Sequence, residues 1–533
     1  MLYGMISHTD TLPESPEELK ELVRTLSSKV EHYEREIPLL YEQLRLFRAK
    51  LYGRKSEKRI VDDAQETLPL FDLPEPGPDE EVKEEAEEEA EEEVQVAAHT
   101  RKKGGRRPLP EHLPRIEQVH DIEDKVCSCG CELKKIGEDV SEQLDIVPAK
   151  VRVIRHIRPK YVCPSCEGLE DEGPTIRIAP VPPQVVPKSS VSAGLLAYLL
   201  TSKFVDHTPF YRQEKQLLRL GVKVSRTSMS RWAMRAAEVC QPVMNLMEEE
   251  VLAGRYVQID ETTVQVLKEP GREAGTKSYM WLFRRGDPGR RVLVYQYHPT
   301  RSGEVAREFL GDFKGTVQTD GYAGYDFLDH QEAVRHIGCW AHVRRKFLEV
   351  VNGVGKQRKR RGGAADKALG YIRKLYALEK AARTGGYSPE EVYDLRQRRA
   401  RPLLAEFEKW LRRKREQTPP KGLLGKAVGY ALKQWSRLTG YLEDPTLLID
   451  NNLAENGIRP FVVGRKNWLF AGTPEGARAS ALLYSLIETA KANDVEPYAY
   501  LRHLFEAVPL ATTLEAYEAL LPWNIKSLPA AEP

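Results

Sequence analysis

Three carboxylates, Asp260, Asp320 and Glu455, stand in contexts that suit a divalent cation. Asp260 interrupts the β-rich run YVQIDETTVQVL. Asp320 closes GTVQTD, where an extended segment gives way to the Gly-containing turn GYAGY. Glu455 lies in LIDNNLAENGIRP, just ahead of a basic stretch. An acidic side chain inside a strand is costly to bury unless something positive meets it. Taken singly, each could be a capped turn or a surface ion pair; their order and contexts together point to a metal site. Hard cations such as Mg2+ take carboxylate oxygen and keep water and phosphate as further ligands. Two such ions about 3.5–4 Å apart can activate an attacking oxygen and stabilise a leaving one at a phosphodiester. The nucleophile would be water for strand cleavage or a DNA 3′-hydroxyl for joining, so no serine or tyrosine nucleophile is required.

A second set of ligand-type residues lies upstream. Of seven cysteines, five cluster: Cys127, Cys129 and Cys131 in CSCGC, then Cys163 and Cys166 in CPSC. In a reducing compartment such spacing favours metal over disulfides. Cys127, Cys129, Cys163 and Cys166 can supply four thiolates in a closed tetrahedral array, the pattern of structural Zn2+. Cys131 competes for one place, and reduced, unliganded cysteine is the plain alternative. Between the two clusters, EQLDIVPAKVRVIRHIRPKYVC has the alternation and β-branching of strands. The module spans 119–170.

The acids need elements that bring them together. From 255 onward the pattern predicts strands at 256–267, 278–284 and 291–297, a helix at 303–311, a strand at 315–319, and a strand-to-helix unit at 334–350. This order suits a ribonuclease H-like α/β core. Asp260 then lies midway along the first strand, and Asp320 ends the fourth, its neighbour in space. Glu455 would join them from a later helix. Residues 351–446 are strongly helical and predict an insertion within that core, which spans 251–350 and 447–494; a C-terminal segment, 495–533, follows. Glu261 should face away from Asp260, because strand side chains alternate. Arg459, Arg465 and Lys466 follow Glu455 closely and could hold phosphates. Asn451 and Asn452 could cap the helix of Glu455. His342 could orient DNA or a metal-bound water, or sit satisfied in the core. Trp340 and Trp468 could stack on bases, although core packing is the commoner fate.

Upstream, 17–52 carry apolar residues at Leu19, Val23, Leu26, Val30, Tyr33, Ile37, Leu40, Leu44, Phe47 and Leu51. The alternating steps of four and three are a coiled-coil seam. They make 1–60 a self-association segment, with Pro38 expected to kink or interrupt the helix. Residues 61–118 read as a disordered linker, first acidic and then basic. The run 79–94 alone carries −10, so the chain's net +2 means +12 elsewhere, with basic blocks at 101–107, 344–346 and 356–361. Such blocks fit a polyanionic partner. A Pro-rich linker at 171–190 leads into 191–250, where helix, Gly221 turn and helix suggest a helix-turn-helix. Ser225 or Thr227 would cap its second helix, which would present Arg226, Ser228 and Arg231 to a major groove. No stretch approaches the ~18 apolar residues of a membrane span, and the N-terminus lacks an apolar signal core. These readings place the protein in the cytoplasm, associated with the nucleoid.

Four segments together carry a family resemblance: YVQIDETTV, TDGYAGY, CWAHVRRKF at 339–347 and IDNNLAENGIRPFVVGRKNWLFAG at 449–472. They resemble the transposase of the insertion-sequence-66 family, as do LYGRKSEK at 51–58 and the cysteine-flanked segment 137–163. The resemblance runs over nearly the whole chain. It implies a multidomain DDE transposase with Asp260, Asp320 and Glu455 as the triad and Mg2+ or Mn2+ as cofactor. It also implies accessory proteins of the same element, beside DNA and a homo-oligomer, as partners. Two positions depart from the family pattern: Asn456 follows Glu455 where Arg is usual, and the first cysteine pair is Cys-x-Cys. A DNA-binding protein of transposase descent that no longer cuts is the alternative reading.

Overall fold

Aromatic and β-branched residues in alternation build the sheet on which the acids sit. The computed structural model describes residues 15–52, 151–161, 176–353 and 363–525. The linker at 61–118 and all four cysteines of the predicted zinc cluster lie outside the described residues. Residues 75–155 separate as their own unit, of which only 151–155 are described, without helix or strand.

Helix α1 (Pro16–Tyr52) runs through Pro38 unbroken, contrary to an interruption there. Proline removes one N–H and crowds the carbonyl four residues earlier. Here Glu34 and Pro38 are both exposed, so water can reach that carbonyl. The helix lies beside α7 (Trp340–Gly353) and α11 (Leu423–Lys433), yet Leu26, Val30, Tyr33, Ile37, Leu40 and Leu44 of its seam remain exposed. A short ribbon pairs β1 (Lys160–Tyr161) with β2 (Arg177–Ile178).

Four helices follow: α2 (Ala193–Phe204), α3 (Phe210–Arg219), α4 (Arg226–Val239) and α5 (Gln241–Leu252). Helices α3 and α4 flank a turn in which Gly221 takes φ +82°, a region that favours glycine. Ser225, not Thr227, caps α4, accepting the Ser228 amide at 3.1 Å. Val185, Val191, Leu196, Ala236 and Met244 share one hydrophobic core with the sheet. The end of the Pro-rich segment and the helical region therefore pack into the same body as the sheet.

The sheet has five strands in the order β5-β4-β3-β6-β7. They are β3 (Tyr256–Gln265), β4 (Lys277–Arg285), β5 (Leu293–His298), β6 (Gly315–Gln318) and β7 (Val334–Ile337), with α6 (Gly303–Leu310) between β5 and β6. Strands β3, β4 and β5 are antiparallel neighbours; β6 runs parallel to β3, and β7 parallel to β6. The predicted strand order and boundaries agree with this to within about two residues.

The insertion after α7 comprises α8 (Ala364–Thr384), α9 (Pro389–Leu395), a π-helical turn (Arg396–Ala400), α10 (Arg401–Glu416), α11 and α12 (Trp435–Thr439). Its aromatic core of Tyr371, Phe407 and Trp410 includes Trp340, which is fully buried and donates to the Leu438 carbonyl at 2.9 Å. Trp340 is thus a core residue. The chain then returns to α13 (Asn452–Trp468), α14 (Pro474–Ala492) and α15 (Pro497–Ala507), which pack on the sheet and on α2.

Candidate active site

Strand alternation and one close helix approach bring the three acids together. Asp260 pairs across β3 and β4 with Leu282, which pairs with Tyr295 on β5, so these side chains share a face. Helix α13 covers that face. A Cβ on Gly457 would come within 2.8 Å of Leu282 and 2.9 Å of Leu293, so glycine permits the contact, and the Tyr295 hydroxyl donates to the Gly457 carbonyl. Glu455 lies two residues earlier, in the first turn of the same helix. Asn451 occupies the cap position but makes no side-chain cap; its Nδ2 donates to the Ile259 carbonyl at 2.9 Å, tying the start of α13 to the residue before Asp260. Asn452 donates through its amide and Nδ2 to Asp450, whose carboxylate also accepts the Tyr376 hydroxyl from the insertion.

Two buried glutamines align the other partners. Gln258 and Gln318 sit opposite each other on parallel β3 and β6, each two residues before an acid. The Gln258 amide donates to Gln318 Oε1 at 2.8 Å. Gln318 Nε2 donates to the carbonyls of Gly338 and Leu448 at 3.0 Å, and the Tyr256 hydroxyl donates to Gln318 as well. This satisfied network sets the register of β3 against β6 and fixes the loop leading to α13. Asp320 then begins a turn, accepting the Tyr322 amide at 2.8 Å. Gly321 leaves room for Tyr430 of the insertion, whose hydroxyl would lie 2.4 Å from a Cβ.

The charges are out of balance. Burial raises the Asp260 carboxyl well above its ordinary range, reinforced by Glu261, Glu455 and Asp320. Among the described residues Asp260 makes no ion pair; its Oδ1 accepts the Glu261 amide. Burial also raises Asp320, partly opposed by the Tyr322 amide, Arg301 and Arg345. Glu455 is raised by burial first, while Arg345, 3.2 Å from Oε2, pulls it down. Glu261 faces the other side of β3, as alternation predicts, and accepts from Arg301 and Tyr325. Arg301 also reaches Asp320 at 3.9 Å. Glu455 is buried and Asp260 and Asp320 are half-buried, and Asp260, which the other two raise, makes no ion pair among the described residues; a hard divalent ion is the kind of group that would relieve this excess of negative charge.

A carboxyl whose folded-state value exceeds its unfolded one costs stability once ionised. That cost is absent below the unfolded value and grows as pH rises through the folded one. Metal-free protein should therefore lose thermal stability through this group as pH climbs above ~4. Asp260→Asn is expected to flatten the slope and to raise Tm at pH 7.5, measured by calorimetry in chelator. A variant melting below wild type there would contradict the electrostatic picture.

The other candidate residues have distinct surroundings. Arg465 donates to the Thr263 carbonyl and, at 2.6 Å, to Thr263 Oγ1, so it pins α13 to β3. Lys466 is exposed, and Arg459 is half-buried. On α4, Arg226 and Arg231 are exposed, whereas Ser228 is half-buried with its hydroxyl 3.0 Å from that of Ser225. Trp468 packs against Phe461 beneath Lys203. His342 lies 3.4 Å from Glu455, with burial, Arg345 and Lys346 holding its imidazole down to about 3, so it is neutral. Sequence reasoning missed Arg301, Arg345 and Cys339. The spacing of His342 and Arg345, one turn apart in CWAHVRRKF, was a signal for Arg345, since both face Glu455.

With this geometry in place, comparison with known proteins defines the class. Residues 188–479 match the family model described as "Transposase IS66 family". Residues 124–167 match the zinc-finger binding domain of transposase IS66, 485–523 the IS66 C-terminal element, and 39–117 "Transposase C of IS166 homeodomain". The chain belongs to the IS66 transposase family. It is similar to three uncharacterized proteins of Sinorhizobium fredii (strain NBRC 101917 / NGR234). With y4jD it is 30% identical over 97% of this chain and 98% of the relative. With y4qI it is 33% identical over 79% and 77%, and with y4hP 29% identical over 91% and 88%. Among the described residues no helix is long and apolar enough to cross a membrane.

Proposed function

We propose that this protein is a DDE-type transposase that cuts the ends of its own insertion sequence and joins them to target DNA. The observation that carries this reading is that Glu455 and Asp320, from two other elements, stand near enough to Asp260 to raise its carboxyl, which has no ion pair among the described residues. The strand order, with three antiparallel strands followed by two parallel ones, supports a ribonuclease H-like core. Asp260, Asp320 and Glu455 would hold Mg2+ (or Mn2+), which supplies Lewis-acid activation of the attacking oxygen and charge neutralisation at the phosphodiester. Arg345 orients Glu455 through Oε2, and Arg301 ties Asp320 to the opposite face of β3. Arg459 and Lys466, four and eleven residues beyond Glu455, fall on the same helical stripe and are assigned to flanking phosphates. Arg226 and Arg231 on α4 are assigned to end recognition, and the exposed seam of α1 to self-association. Accessory proteins of the element remain part of this reading through the family resemblance alone.

The test is incubation of the full chain with duplexes carrying the DNA that flanks its reading frame. Strand breaks at a fixed position in Mg2+, absent in chelator, are expected. Asn456, exposed where the family pattern has Arg, favours the second reading of a DNA-binding protein that no longer cuts. Tight end binding without breaks in either Mg2+ or Mn2+ would establish that reading instead.

The zinc-finger segment makes a separate prediction, with Cys127, Cys129, Cys163 and Cys166 as its proposed ligands. Because metal binding and folding are coupled in such modules, chelation should release zinc and make 119–170 sensitive to protease. Metal analysis finding no zinc in the purified chain would remove the assignment.

A further inference from the structure

Glu455 faces a second, chemically different group of donors. Cys339, His342 and Glu455 present ligand atoms that all lie within 4.8 Å of one another. Cys339 precedes α7, and its sulfur accepts the Asn451 amide at 3.2 Å. His342 stands one turn into α7, with Nδ1 3.4 Å from Glu455 Oε1. Both of these atoms are buried, and neither has a hydrogen-bond partner. The Glu455 side chain is only 7% exposed. An orphaned buried polar atom typically costs about 1–3 kcal/mol. Two of them aimed at each other, beside a thiol, describe a gap that a cation would fill.

We propose that Cys339, His342 and Glu455 form a binding site for a borderline-soft divalent cation of the zinc class, which shares Glu455 with the acidic trio. Sulfur and imidazole select zinc-class ions, whereas the all-carboxylate trio selects hard ones. Bond lengths of about 2.3 Å to sulfur and 2.0–2.2 Å to nitrogen and oxygen place tetrahedral donors roughly 3.4–3.6 Å apart. The His342–Glu455 separation of 3.4 Å already has that value, and the sulfur, within 4.8 Å of both, needs an approach of at most about 1 Å. Burial, Glu455 and Asp450 hold the Cys339 thiol up, opposed by the amides of Asn451 and His342, so the thiolate forms only as the cation displaces its proton to solvent. Thiolate and carboxylate balance the ion's charge, Arg345 remains on Oε2, and the fourth coordination position is open to water. If the proposed function holds, an ion here ties Glu455 to α7 and withdraws it from the Mg2+ set, so zinc would antagonise strand cleavage.

Cobalt tests the site without reference to cleavage. The full chain, its zinc-finger segment first saturated with zinc and excess zinc removed, is titrated with Co2+. A sulfur-to-cobalt charge-transfer band saturating at one further equivalent is expected, absent in Cys339→Ser and shifted to at least tenfold higher cobalt concentration in His342→Asn. No band in wild type, or an unchanged band in Cys339→Ser, overturns the proposal; if Cys339→Ser fails to fold, an unchanged titration of His342→Asn does so. In the second arm, micromolar Zn2+ should inhibit Mg2+-supported cleavage by wild type at least tenfold more strongly than by Cys339→Ser. Equal inhibition removes the antagonism while the cobalt result stands. A chain that never cuts, yet shows the band, keeps the metal site and refutes the proposed catalytic function.

Discussion

Asp260→Asn, Asp320→Asn and Glu455→Gln are each expected to lower the rate of end cleavage in Mg2+ by at least about 10²–10³-fold, the scale seen when one preorganised charge-stabilising group is lost. Each substitution keeps the side-chain volume and removes one anionic oxygen donor, so packing against β4 and α13 should survive. Affinity for end DNA should hold or rise slightly, because phosphate contacts dominate binding and a nearby negative charge is gone. Denaturing-gel cleavage and filter binding on the same preparations separate the two effects. If the three acids act as one unit, as proposed, the three variants should fail alike. Wild-type cleavage by any one of them would remove that residue from the site, and by all three would end the DDE assignment. Glu261→Gln is the informative comparison: it neutralises a buried acid on the opposite face, paired with Arg301 and Tyr325.

Arg396→Met should lower stability by about 3–5 kcal/mol, the usual cost of breaking a buried ion pair from one side. Arg396 is 2% exposed and sits in the π-helical turn of the insertion. Its guanidinium forks onto Glu379 at 3.0 and 2.7 Å and donates to the carbonyls of Tyr441, Asp444 and Leu447 at 2.8–2.9 Å. Losing it strands Glu379 and three carbonyls at once. The insertion belongs with the rest of residues 156–533 to one compact unit, so the expected fall in Tm is on the order of 4–6 °C. Arg396→Lys should rescue little, because an ammonium does not reproduce the planar fork. The consequence reaches the site: Leu447 lies just before the loop whose Leu448 carbonyl is held by Gln318 and whose Asn451 is tied to β3. Wild-type melting of Arg396→Met would mean that the insertion does not brace α13.

Part of this was legible in the chain itself. The period-two pattern around Asp260 and Asp320 gave the strands, because a half-buried strand exposes and buries alternate side chains wherever it lies. The same alternation put Glu261 on the other side of β3 from Asp260, although Arg301 still links it to Asp320. Proline chemistry was a poorer guide at Pro38, since an exposed helix can hand the lost hydrogen bond to water. Capping rules were right for Ser225 and misled at Asn451, where a tertiary carbonyl competes for the side chain.

By itself the amino-acid order singled out the three acids as candidates and determined the elements that carry them and the family to which the chain belongs. Those rest on local periodicity and on motifs long enough to be specific. Tertiary structure alone decided which basic groups meet the acids: Arg301 for Asp320, Arg345 for Glu455, and none among the described residues for Asp260. It also decided that Cys339 and His342 stand before Glu455, more than a hundred positions away in sequence. Long-range contacts of this kind depend on strand register, set here by Gln258 against Gln318, and on the depth to which Gly457 lets α13 sink. Neither leaves a periodic trace in a single sequence.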